Sequence, residues 1–281
     1  MTSFSRRSCY NECPRKAYYR YEERLEPLET SLNLHAGSAG HAGIEALLTH
    51  GQEAVGEAVD LAWGDYITPA GDHSYLTAEW IKRCVRNYSE DALALSELEL
   101  IHTEIEFDLE IAGVPMTGRI DAVWRDPLTK HIFPEDFKFT KQYVTEYWAK
   151  DQGFELSHQL RMYCLACQGL FPDDTVFGAV VTGIHMGRMA ADEDEQWAKR
   201  RSVRVMQFDP YMFSEGMLQE TLAWCSQIDQ DASYRRENGS WPQNTLNKYG
   251  CGHCEFFDLC ESSPVTREGL AKTLYKERER K

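Results

Sequence analysis

Asp136 and Lys138 stand two residues apart in "HIFPEDFKFT" (131–140). A strand has a side-chain period of two, so these two share one face while Phe133, Glu135 and Phe137 share the other. Asp121, in "TGRIDAV", lies on the strand before, and a hairpin brings it toward Asp136. Two converging carboxylates suit Mg²⁺, a hard cation that takes oxygen ligands and keeps several waters. An ion held there would lower the pKa of a bound water and offset charge building on a phosphate oxygen. Lys138 could orient that water or offset the same charge. An isolated acid–lysine pair at a strand edge is more often a surface ion pair. Here aromatic residues flank the pair, and an unpartnered charge among them would be costly.

The elements that must position these residues follow from periodicity. Residues 5–22 read as helical, interrupted at "CP", and "LHAGSAGHAGIEALLTHG" (34–51) reads as a Gly/Ala-rich loop entering a helix that Gly51 ends. Helix-spaced apolar residues recur over 53–68 and 77–98, with a Pro-Ala-Gly-Asp turn between them. Alternation then gives strands at 102–113, 114–126 and 131–140. A helix over 153–170, a β-rich stretch over 175–186 and the acidic loop "AADEDEQ" come next. After these come a strand at 201–209 and a helix from about 210 to 236. This order implies an α/β layered core with a helical N-terminal portion. The simplest organisation is one domain over 1–281, with an N-terminal segment (1–35), a helical portion (36–100), a core (101–210) and a C-terminal helix with a cysteine segment (211–281).

The 281 residues are 42% hydrophobic with a formal net charge of −15, which describes a soluble protein and excludes a basic nucleic-acid coat. No apolar run approaches the roughly 20 residues of a membrane helix, and the N-terminus has no apolar signal region. Nine cysteines without an export signal point to a reducing cytoplasm and to metal more than disulfides. The first 24 residues run against the average charge. Arg6, Arg7, Arg15, Lys16, Arg20 and Arg24 are interleaved with Tyr10, Tyr18, Tyr19 and Tyr21. That pattern suits single-stranded nucleic acid, and equally an amphipathic helix with a solvated charged face.

"GRID", "EDFK" and "QLRMY", in that order, resemble the RecB-like branch of the PD-(D/E)xK nuclease superfamily. That branch orders a helix histidine, a G-x-x-D strand, a (D/E)-x-K strand and a Q-x-x-x-Y helix. Here His41, Gly118 with Asp121, Asp136 with Lys138, and Gln159 with Tyr163 match in turn. The resemblance implies a restriction-endonuclease-like core, a mixed central sheet flanked by helices. It implies Mg²⁺ or Mn²⁺ on His41, Asp121, Asp136 and the Phe137 backbone carbonyl, with Lys138 catalytic. Gln159 and Tyr163, four apart on one helix face, would touch the DNA backbone or brace the site. By itself, a histidine at a Gly/Ala-rich helix start is more often a cap or a packed side chain. Glu135 points away from Asp136 by strand period, and Glu104 or Glu106 could reach the site or sit on a solvated strand face. His158 reads as structural or solvent-facing.

"CGHCEFFDLC" holds Cys251, Cys254 and Cys260, one thiolate short of a complete tetrahedral or cubane site. Some RecB-like nucleases, the AddB type and small CRISPR-associated nucleases among them, bind an iron–sulfur cluster through one cysteine before the core and three after it. By that resemblance Cys13, in "YNECP", is the fourth ligand of a [4Fe–4S] cluster that would tie the two ends of the chain. Zinc remains the alternative, since Cys₄ is also a structural zinc set and Cys9 could pair with Cys13. Cys84, Cys164, Cys167 and Cys225 read as core.

The expected function is metal-dependent DNA hydrolysis, as an exonuclease on single-stranded DNA or frayed ends, with 5′ to 3′ polarity implied by the resemblance alone. No G-x-x-x-x-G-K-[ST] phosphate loop is present, so unwinding would require a helicase or CRISPR integration partner. The competing expectation is a nucleic-acid-end binding module whose cysteine metal site is structural.

Overall fold

A computed structural model describes residues 2–28, 31–64, 76–91, 97–187, 204–244 and 248–278. The expected Pro-Ala-Gly-Asp turn and the acidic loop at 190–196 lie outside these residues. The chain divides into two compact units. One gathers Met1–Thr30, Glu110–Thr117 and Gln219–Lys281, and the other Ser31–Leu109 and Gly118–Leu218.

The larger unit begins with α3 (Leu32–His50), after α1 (Phe4–Glu12), α2 (Pro14–Ala17) and β1 (Leu25–Pro27) of the smaller one. Ser31 caps α3, accepting from the Leu34 amide, and Gly51 ends it at φ 87°, a conformation cheap only for glycine. The Gly/Ala-rich stretch expected as a loop is therefore helical from Leu32. Its small residues serve packing. A Cβ on Gly40 would lie 2.5 Å from the Phe139 ring, so glycine lets the helix approach the sheet closely. Helices α4 (Val55–Trp63) and α5 (Ala78–Asp91) pack beside it.

Strands β2 (Glu99–Ile111), β3 (Val114–Arg125) and β4 (His131–Thr140) follow. Next come α6 (Glu146–Gln152), α7 (His158–Leu170), β5 (Thr175–Val176), β6 (Val180–His185) and β7 (Val205–Gln207). Among the described residues the sheet runs β2-β3-β4-β6-β7, with β5 also paired to β4. It is mixed: β4 is antiparallel to β3 and parallel to β6, and the parallel pair requires the crossover that α6 and α7 provide. Ile44, Val59, Ile81, Val85, Ala122, Trp124, Phe137 and Ile184 form the core between the helices α3–α5 and the sheet. This is the restriction-endonuclease-like arrangement expected from the motif order.

In the smaller unit, a short π-helical turn (Tyr18–Glu22) follows α2. Helix α8 (Glu215–Asn238) enters this unit from Gln219, and α9 (Lys248–Gly252), α10 (Phe257–Glu261), α11 (Arg267–Leu274) and β8 (Tyr275–Glu277) complete it. β8 pairs antiparallel with β1, with Glu26 opposite Lys276, joining segments 250 residues apart in sequence. Tyr19, Phe256, Leu259 and Tyr275 form its aromatic core, with Cys254 and Cys260 packed against them.

Here the N-terminal cations are spent on internal pairing. Arg7 is 0% exposed, and its guanidinium takes Asp229 through both carboxylate oxygens and the Pro115 carbonyl. Arg6 pairs with Glu22, Lys16 with Glu12, Arg20 with Glu255 and Arg24 with Glu277, while Arg15 donates to the Trp241 carbonyl. Tyr10 and Tyr19 are buried, and Tyr18 packs on Trp241 at 5.3 Å between centroids. The charged face expected to be solvated is instead paired with carboxylates, and at Arg7 fully buried.

Among the described residues no helix is long and apolar enough to cross a membrane.

A candidate metal centre between the hairpin and two helices

The candidate site lies wholly in the larger unit. Pairing of β3 with β4 covers Ala122–Arg125 against Ile132–Glu135, which sets Asp121 beside Asp136 just beyond it. There the Asp121 side chain takes over from the ladder: its Oδ2 accepts the Phe137 amide at 2.8 Å. The N–H and C=O of one strand residue point to the same edge, so the Phe137 carbonyl faces Asp121 as well. His41 comes from α3, its Nδ1 3.5 Å from Asp121 Oδ2 and its ring beside Phe137 and Phe139. Gly118 admits the Phe107 ring, which a Cβ would meet at 2.6 Å.

Asp136 and Lys138 project to the α7 face. Lys138 Nζ is 2.7 Å from Asp136 Oδ2, and Asp136 is 2% exposed. That oxygen is sealed from solvent and lies near the ammonium without the alignment of a hydrogen bond. Gln159 links the set: its Oε1 accepts from Lys138 at 3.2 Å, while its Nε2 donates to Asp136 Oδ1 at 3.2 Å and to Tyr163 Oη at 2.9 Å. An ammonium on one side and a carboxylate on the other fix which way the amide faces. Tyr163 is buried, and burial with Asp136 and Asp121 nearby holds its hydroxyl protonated, well above the usual range. His158 begins α7, which Ser157 caps.

Sequence periodicity left Glu104 open, and the structure brings it in. Among the described residues, His41, Glu104 and Asp121 form the set whose His, Asp or Glu ligand atoms lie within 4.8 Å of one another. Glu104 has φ 47°, a left-handed conformation that is uncommon for a non-glycine residue inside a strand. Leu98 and Leu100 pack on the core, whereas Phe107 lies against Gly118 and Leu109 against Gly169. In the sequence the apolar positions pass from 98 and 100 to 101, 105, 107, 109 and 111, a change of parity that a strictly alternating template does not follow. Glu106 stays exposed.

The electrostatics are those of crowded acids. Burial, then Asp121, pushes Glu104 up to about 7 against the pull of Arg119, its ion-pair partner. Burial also raises Asp121, with Asp136 adding to it and His41, the Phe137 amide and Lys138 opposing. Two carboxylates and an imidazole are hard donors, and a divalent cation between them would relieve this repulsion. The donor set fits Mg²⁺ or Mn²⁺. Glu135 lies on the other face, 0% exposed, accepting from Trp124 Nε1 at 2.7 Å, Gln207 Nε2 at 3.0 Å and the Thr182 hydroxyl. Burial pushes it up to about 7.

In the smaller unit, Cys13, Cys251, Cys254 and Cys260 are all half-buried. Cys13 lies between α1 and α2, where Pro14 begins the second helix. Asn244 ties the segments together, donating to the Glu12 carbonyl at 2.7 Å while its own carbonyl faces Cys251 Sγ at 3.7 Å. Burial raises the Cys260 thiol and Cys13 adds to it; burial likewise raises Cys254, with Cys260 contributing. Cys9 packs among Tyr10, Ala17 and Trp241, and burial pushes its thiol up to about 11. Cys84, Cys164, Cys167 and Cys225 are buried, as expected of core thiols.

A family profile described as "PD-(D/E)XK nuclease superfamily" matches residues 1–261. Among solved structures, that of a candidate exonuclease from Eubacterium rectale superposes with a TM-score of 0.56 at 14% identity. The match covers 95% of this chain and 91% of that one, a likeness of fold alone. The structure of SSO0001 gives a TM-score of 0.33 at 13% identity over 86% of this chain and 93% of that one, too distant to carry an argument. No curated protein matches the chain in sequence.

Proposed function

The chain belongs to the PD-(D/E)XK nuclease superfamily, and from that premise we propose that it is a DNA exonuclease of the RecB-like, iron–sulfur branch. Its substrate in this reading is single-stranded DNA or the frayed end of a duplex. The observation that carries the proposal is the convergence of His41, Glu104 and Asp121 with the Asp136–Lys138–Gln159 linkage at one end of the β3–β4 pairing.

His41, Asp121, Asp136 and the Phe137 carbonyl would hold Mg²⁺ or Mn²⁺, with Glu104 as a further carboxylate. A divalent ion there supplies charge for phosphate oxygens and lowers the pKa of a water it binds. Asp121 is aimed by the Phe137 amide, so its orientation is set before any ion arrives. Lys138 presents a cation to the charge that develops on the phosphate, and Asp136 and Gln159 fix the position of its ammonium. Tyr163 holds Gln159 from behind. The 5′ to 3′ polarity rests on the family resemblance alone, and duplex substrates would need a helicase or a CRISPR integration partner to open them.

The same reading gives Cys13, Cys251, Cys254 and Cys260 to a [4Fe–4S] cluster. Four half-buried thiols in one unit support it. Against zinc, Cys9 is turned into the aromatic core and is not available to complete a knuckle with Cys13.

The test is release of nucleotides from end-labelled single-stranded DNA by the purified full chain with Mg²⁺ or Mn²⁺. Asp136→Ala should lower cleavage about 10³-fold while leaving the melting temperature nearly unchanged. Absence of metal-dependent release from the wild type would favour a module that only binds nucleic-acid ends. Iron and sulfide analysis of the same preparation separates the cluster from zinc.

A further inference from the structure

The strand that carries Asp136 and Lys138 leads directly into "KQYVTEYWAK" (141–150), a second stretch in which tyrosines alternate with charges. The N-terminal segment is internally paired, whereas this one displays its aromatics. Tyr147 is 80% exposed and Tyr143 is 49% exposed, while Val144 and Trp148 between and beside them are buried.

Two features hold this segment beside the site. Gly183 of β6 is the register partner of Lys138, and paired residues of neighbouring strands share a face. A Cβ on Gly183 would lie 2.5 Å from Val144 and 2.8 Å from Trp148, so the segment lies flat on the sheet next to Lys138 and glycine is required for that approach. Thr145 caps α6, accepting from the Trp148 amide at 3.1 Å, which starts the helix with Tyr147 turned outward. Tyr143 is also rigid. Its ring stacks on His185 at 5.1 Å with 9° between the planes, and His185, 2% exposed, is held by the Gln142 carbonyl at 2.8 Å.

We infer that Tyr143 and Tyr147 form a base-stacking platform that receives unpaired nucleotides next to the scissile phosphate. The inference rests on the nuclease reading above. A pre-oriented, half-exposed aromatic ring gives stacking at little entropic cost, and every base has a π-face to offer. The charges of the segment fit bases rather than backbone. Exposed Lys141 and Lys150 are offset by exposed Glu146, Asp151 and Glu155, so phosphate gains no net attraction there. A duplex keeps its bases stacked inside and has nothing to give this surface. The occupant is thus a single strand.

The experiment measures binding of the full chain to a fluorescent single-stranded oligonucleotide in EDTA, followed by cleavage with Mn²⁺. Tyr147→Ala and Tyr143→Ala should each weaken binding about 5- to 150-fold, from about 1–3 kcal/mol per stacked base. In cleavage, KM should rise with kcat largely kept, and Tyr147→Phe, which retains a ring, should restore wild-type values. Affinity for a blunt duplex and hydrolysis of bis(4-nitrophenyl) phosphate, which is too small to reach the platform, should not change. Because Tyr147 projects into solvent, its truncation leaves the core intact. A Tyr147→Ala variant that hydrolyses the small phosphodiester and keeps the wild-type oligonucleotide KM overturns the platform. A wild type that hydrolyses neither substrate overturns the nuclease reading itself.

Discussion

Carboxylates and cations are plentiful in both units, and each unit uses them differently. In the smaller one, Arg6, Arg7, Lys16, Arg20 and Arg24 each meet a carboxylate, and Arg7 does so with no exposure at all. In the larger one, Glu104, Asp121 and Asp136 crowd together, and burial and mutual repulsion raise the first two. Matched charge fixes structure. Acids that outnumber their cations, with Arg119 on Glu104 and Lys138 on Asp136, make a place where a further cation can be accepted. The difference separates the residues that build this protein from those proposed to act.

The contrast can be broken most sharply from the structural side. Asp229→Ala would leave the Arg7 guanidinium buried without its carboxylate, and should destabilise the protein by about 3–5 kcal/mol in chemical denaturation. Retention of wild-type stability would mean that the pairing in this unit is incidental. The larger unit gives a pH signature. Glu135 titrates at about 7 in the folded protein, above its ordinary value, so its contribution is fully present below about pH 4.5 and is lost as pH rises through about 7. The loss amounts to about 3 kcal/mol at most. Glu135→Gln should flatten that slope between pH 5 and 8, and an unchanged slope would place the titration elsewhere. The smallest effect is the most pointed. Glu104→Gln should stabilise the metal-free protein by about 1 kcal/mol, because it removes a repelled carboxylate. It should also weaken Mn²⁺ affinity about 10- to 100-fold by calorimetry. If it destabilises instead, the acids of the larger unit are as well matched as those of the smaller.

Much of the fold was legible because the strands alternate cleanly: β4 spans 131–140 as periodicity indicates, and β3 differs from its expected range by one residue. What escaped was set by packing at a distance. Gly40 and Gly43 look like a loop until the helix they belong to is seen against Phe139, Val59 and Val85. Arg7 reads as a nucleic-acid contact because its partner, Asp229, is 222 residues away. The site was partly written in motif order, which names His41, Asp121, Asp136, Lys138, Gln159 and Tyr163. Glu104 depended on a local backbone turn, φ 47°, that a strictly alternating strand template hides. Tyr143 and Tyr147 needed a knowledge of exposure, since the buried Trp148 between Tyr147 and Ala149 looks no different in sequence.

The internal pairing of the N-terminal cations also bears on how binding should respond to ionic strength. Affinity for a polyanion falls with salt in proportion to the phosphates that protein cations neutralise, because each releases condensed counterions. Arg6, Arg7, Lys16, Arg20 and Arg24 are already neutralised by this chain's own acids, and so contribute little to that release. A plot of log affinity against log salt should therefore be shallow for so arginine-rich a terminus, and DNA once held through its bases would stay held in concentrated salt.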